Sequence, residues 1–214
     1  AREQGGPDVV LQTFTNGTLM TPQKLDFLRE LGVHCTISLD GRKGVNDKHR
    51  VYFRSKERSV FDDVMARLRD LPKDDLGVSL VFTSETIDDF LSNVDYFYQM
   101  GFSRITFNPE LYEQWSEDKL AVLRRAMQGL ARYYKMILAK GLKPFQIQIL
   151  FSVLENREHN RAGVKWWHDC HNVVIGPDEK FYACDKALTF PIGEVKDQQV
   201  GAPASGMQWE RREA

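Results

Sequence analysis

Cysteine is scarce in this chain. Its 214 residues hold three, Cys35, Cys170 and Cys184, too few and too scattered for a secreted disulfide framework, so a reducing, cytoplasmic setting is expected. No run of about 18 apolar residues occurs, which excludes a membrane-spanning helix. Neither sign of charge prevails: 29 basic side chains meet 30 acidic ones, interspersed along the chain, for a formal charge of −1. A duplex-binding surface needs a basic face, so nucleic acid is not the expected partner. The first residues, Ala1 to Pro7, lack both an apolar signal region and an initiator Met, and read as a cut through the end of a helix.

What is present is a core-forming chain, 42% hydrophobic, large enough for one domain and an appendage. Apolar β-rich runs alternate with amphipathic helical patterns, the order that builds a parallel sheet with crossover helices. Strands are expected near Val9–Phe14, His34–Leu39, Gly77–Thr83 and Arg104–Asn108. Thr21 with Pro22 opens a helix carrying Leu25, Leu28 and Leu31. Ser59 opens the next, with Phe61, Val64 and Leu68 on one face, and Ser84 a third, with a stripe of Ile87, Leu91, Val94 and Tyr98. The longest runs from Ser116 to about Lys140 on Leu120, Leu123, Met127, Leu130, Tyr134 and Leu138, and Gly141 stops it.

Four strand–helix units cannot close a barrel, and the first strand of an open parallel sheet leaves unpaired backbone groups that something should cover. From Pro144 to Leu154 the alternation of Phe145, Ile147, Ile149 and Phe151 suggests a further strand, with a helix start at Ser152 as the alternative. Val173–Ile175 and Lys180–Ala183 flank Gly176-Pro-Asp-Glu179 and read as a β-hairpin. The expected organisation is therefore a partial (β/α) barrel over residues 1–143, a hairpin region over 144–200 and a flexible, linker-like tail over 201–214.

Parallel sheets of this kind gather ligands at the carboxyl ends of their strands. Ser38 and Asp40 stand there at the end of the second strand, with Gly41 allowing a sharp turn, and Arg50 follows twelve residues after Ser38, long enough to curl back over the rim. A hydroxyl and a guanidinium fork together suit a carboxylate. A purely structural reading has Ser38 capping the loop and Arg50 paired with Asp47 or Asp40. Asn16 and Gly17 end the first strand in a turn that accepts positive φ, and Asn108 closes the fourth strand, either touching a ligand or turning the chain.

The run Phe14-Thr-Asn-Gly-Thr-Leu19, then Ile37-Ser-Leu-Asp-Gly41 and Asn46-Asp-Lys-His-Arg50, resembles the middle of a radical S-adenosylmethionine enzyme, close to the peptide-modifying and sulfatase-maturing members. The string from Pro177 to Lys186, followed by Pro191-Ile-Gly-Glu-Val195, is similar to the SPASM or twitch-type module that carries auxiliary clusters. The resemblance implies a six-unit partial barrel of which this chain carries units three to six. It assigns Ser38 and Arg50 to the methionyl carboxylate of S-adenosylmethionine, with Asn16, Asp40 and Asn108 as further cofactor-binding candidates. It makes Cys170 and Cys184 the first thiolate ligands of an auxiliary [4Fe-4S] cluster and gives Asp185 the part of a general base. The implied activity is generation of a 5′-deoxyadenosyl radical that modifies a substrate, a peptide or protein.

The sequence departs from that family in several respects: Phe14, Glu179 and Ala183 stand where it usually has Gln, Gly and Pro, and no cysteine follows Cys184 to complete an auxiliary cluster. No C-x-x-x-C-x-x-C run occurs, so the ligands of the radical-generating cluster must come from a missing amino-terminal segment or a partner chain, and the chain alone is expected to be inactive. Two other readings stay open. One is a non-catalytic relative that binds a peptide or serves as a scaffold. The other is an α/β protein in which His168, Cys170, His171 and Cys184 hold zinc; the bland form of that reading leaves two reduced thiols beside Trp166 and Trp167. Cys35 sits inside a strand as inert core.

Overall fold

The computed structural model of the chain describes residues 10–110 and 113–147, together with the strand residues 174–175, 181–182 and 199–201. The chain divides into two units, Ala1–Phe151 and Ser152–Ala214.

In the first unit four strands, β1 (Leu11–Thr15), β2 (Val33–Ser38), β3 (Leu76–Phe82) and β4 (Arg104–Pro109), form one parallel sheet in the order β1-β2-β3-β4. The register pairs Thr15 with Ile37, Ser38 with Ser79 and Val81 with Asn108. Five α-helices connect or follow them: α1 (Pro22–Glu30), α2 (Lys43–His49), α3 (Val60–Leu68), α4 (Phe90–Gln99) and α5 (Glu117–Ala139). No helix among the described residues is long and apolar enough to cross a membrane.

Local chemistry starts these helices. The Thr21 hydroxyl accepts from the Lys24 N–H with Pro22 in the first turn, and the Ser59 and Ser116 hydroxyls do the same for Asp62 and Lys119. Gly141, at φ +66°, ends α5. The third expected helix starts later than Ser84. The Thr83 N–H donates to the Thr86 hydroxyl at 2.9 Å, a turn of 3-10 helix follows at Ile87–Asp89, and α4 begins at Phe90. Its buried face is accordingly Phe90, Asn93, Val94 and Phe97, with Leu91 and Tyr98 only partly covered. On α5 the inward residue of the last turn is Ile137, while Leu138 is half exposed. The short helix α2 is an addition to the expected elements.

One face of the sheet holds the core. Cys35, Ile37 and Leu39, then Leu76, Val78, Leu80 and Phe82, then Ile105 and Phe107, are buried against Leu25, the α3 stripe, α4, Leu130 and Ile137. By the two-residue period of a strand, the other face carries Gln12, Thr36, Ser38, Ser79, Thr106 and Asn108. Parallel sheets are ordinarily apolar on both faces. This one is apolar on its helix side and mostly polar on the other, where Phe14 and Val81 are the apolar exceptions.

Beyond α5, Phe145 and Ile147 are buried in the same core, and Gln146 forms a parallel bridge to Arg104 at the β4 side of the sheet. At the opposite side β1 is the edge strand among the described residues, and Val10, Leu11, Phe14, Leu19 and Phe27, in and beside β1 and α1, are largely exposed. In the second unit β5 (Val174–Ile175) pairs antiparallel with β6 (Phe181–Tyr182), the expected hairpin, and β6 pairs with β7 (Gln199–Gly201). β7 was not expected and reaches into the first residue of the stretch read as a linker.

Candidate functional site

The carboxyl ends of β2 and β3 and the turn after β2 are locked by a set of buried polar contacts. Leu39 continues the ladder through its N–H to the Ser79 carbonyl at 3.0 Å and points into the core. Alternation therefore puts Ser38 and Asp40 on the polar face. Asp40, 6% exposed, accepts from the Val81 N–H at 3.0 Å and from Arg50 Nη2 at 2.8 Å through the same oxygen, Oδ1. Of the two carboxylates weighed for Arg50 on structural grounds, Asp40 is the partner.

Asn46, fully buried in α2, accepts from the Asp40 N–H at 3.1 Å and donates to Asp47 Oδ1 at 3.2 Å. Asp47 in turn takes the Phe61 N–H at 3.0 Å and the Ser59 hydroxyl, so it anchors the start of α3. From the other side Asn93 of α4, 1% exposed, accepts from the Arg42 N–H at 3.0 Å, and Arg42 Nη2 reaches the Ser92 hydroxyl at 2.7 Å. Gly41 lies against Asn93 so closely that a Cβ there would sit 2.5 Å from Nδ2. A side chain at this position has no room.

Two groups on this frame are left with unused capacity. The Ser38 hydroxyl has no hydrogen-bond partner among the described residues. Arg50 spends only Nη2 on Asp40, and its Nε is buried without a partner among the described residues. A buried guanidinium N–H with nothing to donate to is costly, and an incoming carboxylate would relieve it. The residues present thus fit the carboxylate end of an amino-acid-like ligand.

The other expected residues divide. Asn16 is exposed, and its Oδ1 accepts from the Thr18 N–H at 3.1 Å and the Thr18 hydroxyl at 2.9 Å, closing a turn in which Gly17 has φ +76°. The turn reading accounts for both. Asn108, next to last in β4, is exposed on the polar face, and its side chain has no hydrogen bond to any described residue. Cys170, Cys184, Asp185, His168 and His171 lie outside the described residues. Cys35 is core, and burial pushes its thiol up. Among the described residues no group of three or more His, Cys, Asp or Glu is placed to hold a metal.

Sequence reasoning had no role for Asn46, Asn93 or Glu113. Glu113 links the loops after β3 and β4 by accepting the Ser84 N–H at 2.7 Å and the Ser84 hydroxyl. These bonds, the hydroxyl's first, hold the carboxyl below its usual 4.5. A lowered folded value means the contribution is present above the ordinary value and is lost as pH falls through the lowered one. As pH falls from above 4.5 to below the lowered value, the thermal midpoint of the wild-type chain should fall further than that of Glu113→Gln, so that the two converge at the acid end. Parallel curves would show that this latch adds no stability.

The fold is shared with solved structures. That of anSMEcpe, an anaerobic sulfatase-maturing enzyme, with bound AdoMet matches at a TM-score of 0.65 and 20% identity, over 91% of this chain and 54% of that one. The same protein with AdoMet and a Cp18Cys peptide matches at 0.66 and 19%, over 91% and 55%. SuiB of Streptococcus suis matches at 0.51 and 14%, over 85% and 45%. The chain therefore spans about half the length of the solved structures it matches. No family model and no curated protein matches the sequence.

Proposed function

We propose that this chain is part of a radical S-adenosylmethionine enzyme acting on a peptide or protein, and that its rim holds the methionyl carboxylate of the cofactor. The observation that carries the reading is an unused Ser38 hydroxyl at the end of β2 together with the orphaned Nε of Arg50, whose Nη2 bonds Asp40 two residues after Ser38. The shared fold supports it, since the neighbouring protein was solved with AdoMet and with peptides. When bound, S-adenosylmethionine supplies a carbon–sulfur bond that a reduced iron–sulfur cluster can cleave. Asp40 would keep the Arg50 fork oriented, and Asn46 and Asn93 would hold the backbone that carries both. The described residues offer no thiolates to a cluster, so the reading gives them ligand binding and orientation only. Cys170 and Cys184 remain proposed ligands of an auxiliary cluster, and Asp185 a proposed base.

The test is calorimetric titration of S-adenosylmethionine into the chain and two variants. Ser38→Ala should weaken binding about tenfold, because a hydrogen bond to a charged group is worth about 1.5–3 kcal/mol. Its thermal midpoint should not move, since the hydroxyl has no partner to lose. Arg50→Lys keeps the charge and loses the fork, and should also bind more weakly. Affinities equal to wild type in both would sink the assignment.

A further inference from the structure

The loop between α2 and α3 is held stiffly and presents its tip to solvent. An antiparallel bridge between Val51 and Ser59 closes it. Inside, the Tyr52 hydroxyl donates to Asp63 Oδ2 at 2.6 Å, Arg58 Nε bonds the same oxygen at 2.6 Å, and the Arg58 guanidinium lies 5.1 Å from the Tyr52 ring centre. Phe53, one residue from these anchors, is 93% exposed, the most exposed of the large apolar side chains described. Scattered exposed apolar residues are ordinary. An aromatic displayed on a braced loop differs, because the ordering cost of using it in binding has largely been met beforehand.

The setting gives its partner a charge. Between Arg42 and Arg58 the chain places seven of its 29 basic side chains against two of its 30 acidic ones. Lys43, Arg50 and Arg58 are paired with Asp62, Asp40 and Asp63. Arg54 and Lys56, flanking the tip, have no ion pair or hydrogen bond among the described residues. The position is equally specific. α3 leads from this loop back toward the start of β3, so the loop stands at the end of the sheet where Ser38 and Arg50 lie, and Arg50 is the residue that enters it.

We infer that the 51–58 loop docks an acidic peptide segment with a large apolar residue, Phe53 taking the apolar contact and Arg54 and Lys56 the carboxylates. This rests on the reading above that the substrate is a peptide, and names its chemical class. The charge pair steers and orients, and the aromatic contact supplies the desolvated anchor.

Fluorescence anisotropy with the full chain tests it. The probes are a labelled Glu-Glu-Leu repeat of about 12 residues, its Lys-Lys-Leu counterpart and an oligouridylate of equal length, the last to separate a peptide from another polyanion. The acidic peptide should bind at least about tenfold more tightly than the basic one and than the oligouridylate. Arg54→Glu with Lys56→Glu should lower that affinity about tenfold or more, and Phe53→Ser several-fold. Because all three side chains are exposed, circular dichroism of the variants should match wild type. Equal binding of the two peptides, tighter binding of the oligouridylate, or unchanged binding by the loop variants would each overturn the inference. A wild-type chain that discriminates the peptides but does not bind S-adenosylmethionine would sink the cofactor reading and leave this surface standing, whereas cofactor binding without peptide discrimination would do the reverse.

Discussion

Gly41→Ala should destabilise the chain by about 2–4 kcal/mol, seen as a lower urea midpoint with an unchanged slope. The new Cβ would lie 2.5 Å from Nδ2 and 2.6 Å from Cγ of Asn93. Asn93 cannot swing away, since it is buried and its Oδ1 holds the Arg42 N–H. Either the turn after β2 shifts or Asn93 leaves its bond, and both disturb the frame on which Asp40 and Arg50 meet. Gly44 provides the control. Nothing lies within 4 Å of a Cβ there, so Gly44→Ala in α2 should be stabilising by up to about 1 kcal/mol. A midpoint for Gly41→Ala equal to that of wild type would mean that the turn is not confined as described.

The largest loss of stability is expected for Phe90→Ala, about 3–5 kcal/mol. Phe90 is 1% exposed, and its ring centre is 5.0 Å from those of both Phe82 and Phe107, at inclinations of 59° and 77°. Phe82 also meets Trp115 edge to face at 6.0 Å. The cluster lies under the carboxyl ends of β3 and β4, so a cavity at Phe90 would also loosen the two loops that Ser84 and Glu113 join. A cost below about 1 kcal/mol would require complete collapse around the hole.

What could be read in the residues was what local chemistry decides. Thr21 with Pro22, Ser59, Ser116 and Gly141 act on backbone groups three or four residues away, and they start and stop helices where expected. The strands were legible because their core faces repeat every second residue. Ser84 misled because its N–H and hydroxyl are taken by Glu113, 29 residues on, while Thr83 and Thr86 bond each other. That delay moved the start of α4 and rotated its buried stripe.

The same distinction divides the site. Ser38, Asp40 and Arg50 could be picked out because a strand end, a sharp turn and a returning arginine follow one another within a short stretch. Asn93 could not, since its contact with Arg42 spans 51 residues and Asn carries no periodic signal. Asn46 stood within the motif that drew attention, yet its work is to bond the Asp40 N–H from a helix too short and polar to announce itself.

The two sides of the sheet are finished differently. Beside β4 a bridge to Gln146 has begun a further pairing, whereas β1 offers its outer hydrogen-bonding groups beside Leu11 and Phe14. An edge that no described residue covers, with apolar side chains beside it, is a template for any extended chain in solution, so this polypeptide in isolation should crowd onto itself as concentration rises. Growth on that side also has a direction. A strand laid parallel to β1 would finish beside Asn16, and the loop leaving it would be delivered to the same end of the sheet as Ser38 and Arg50.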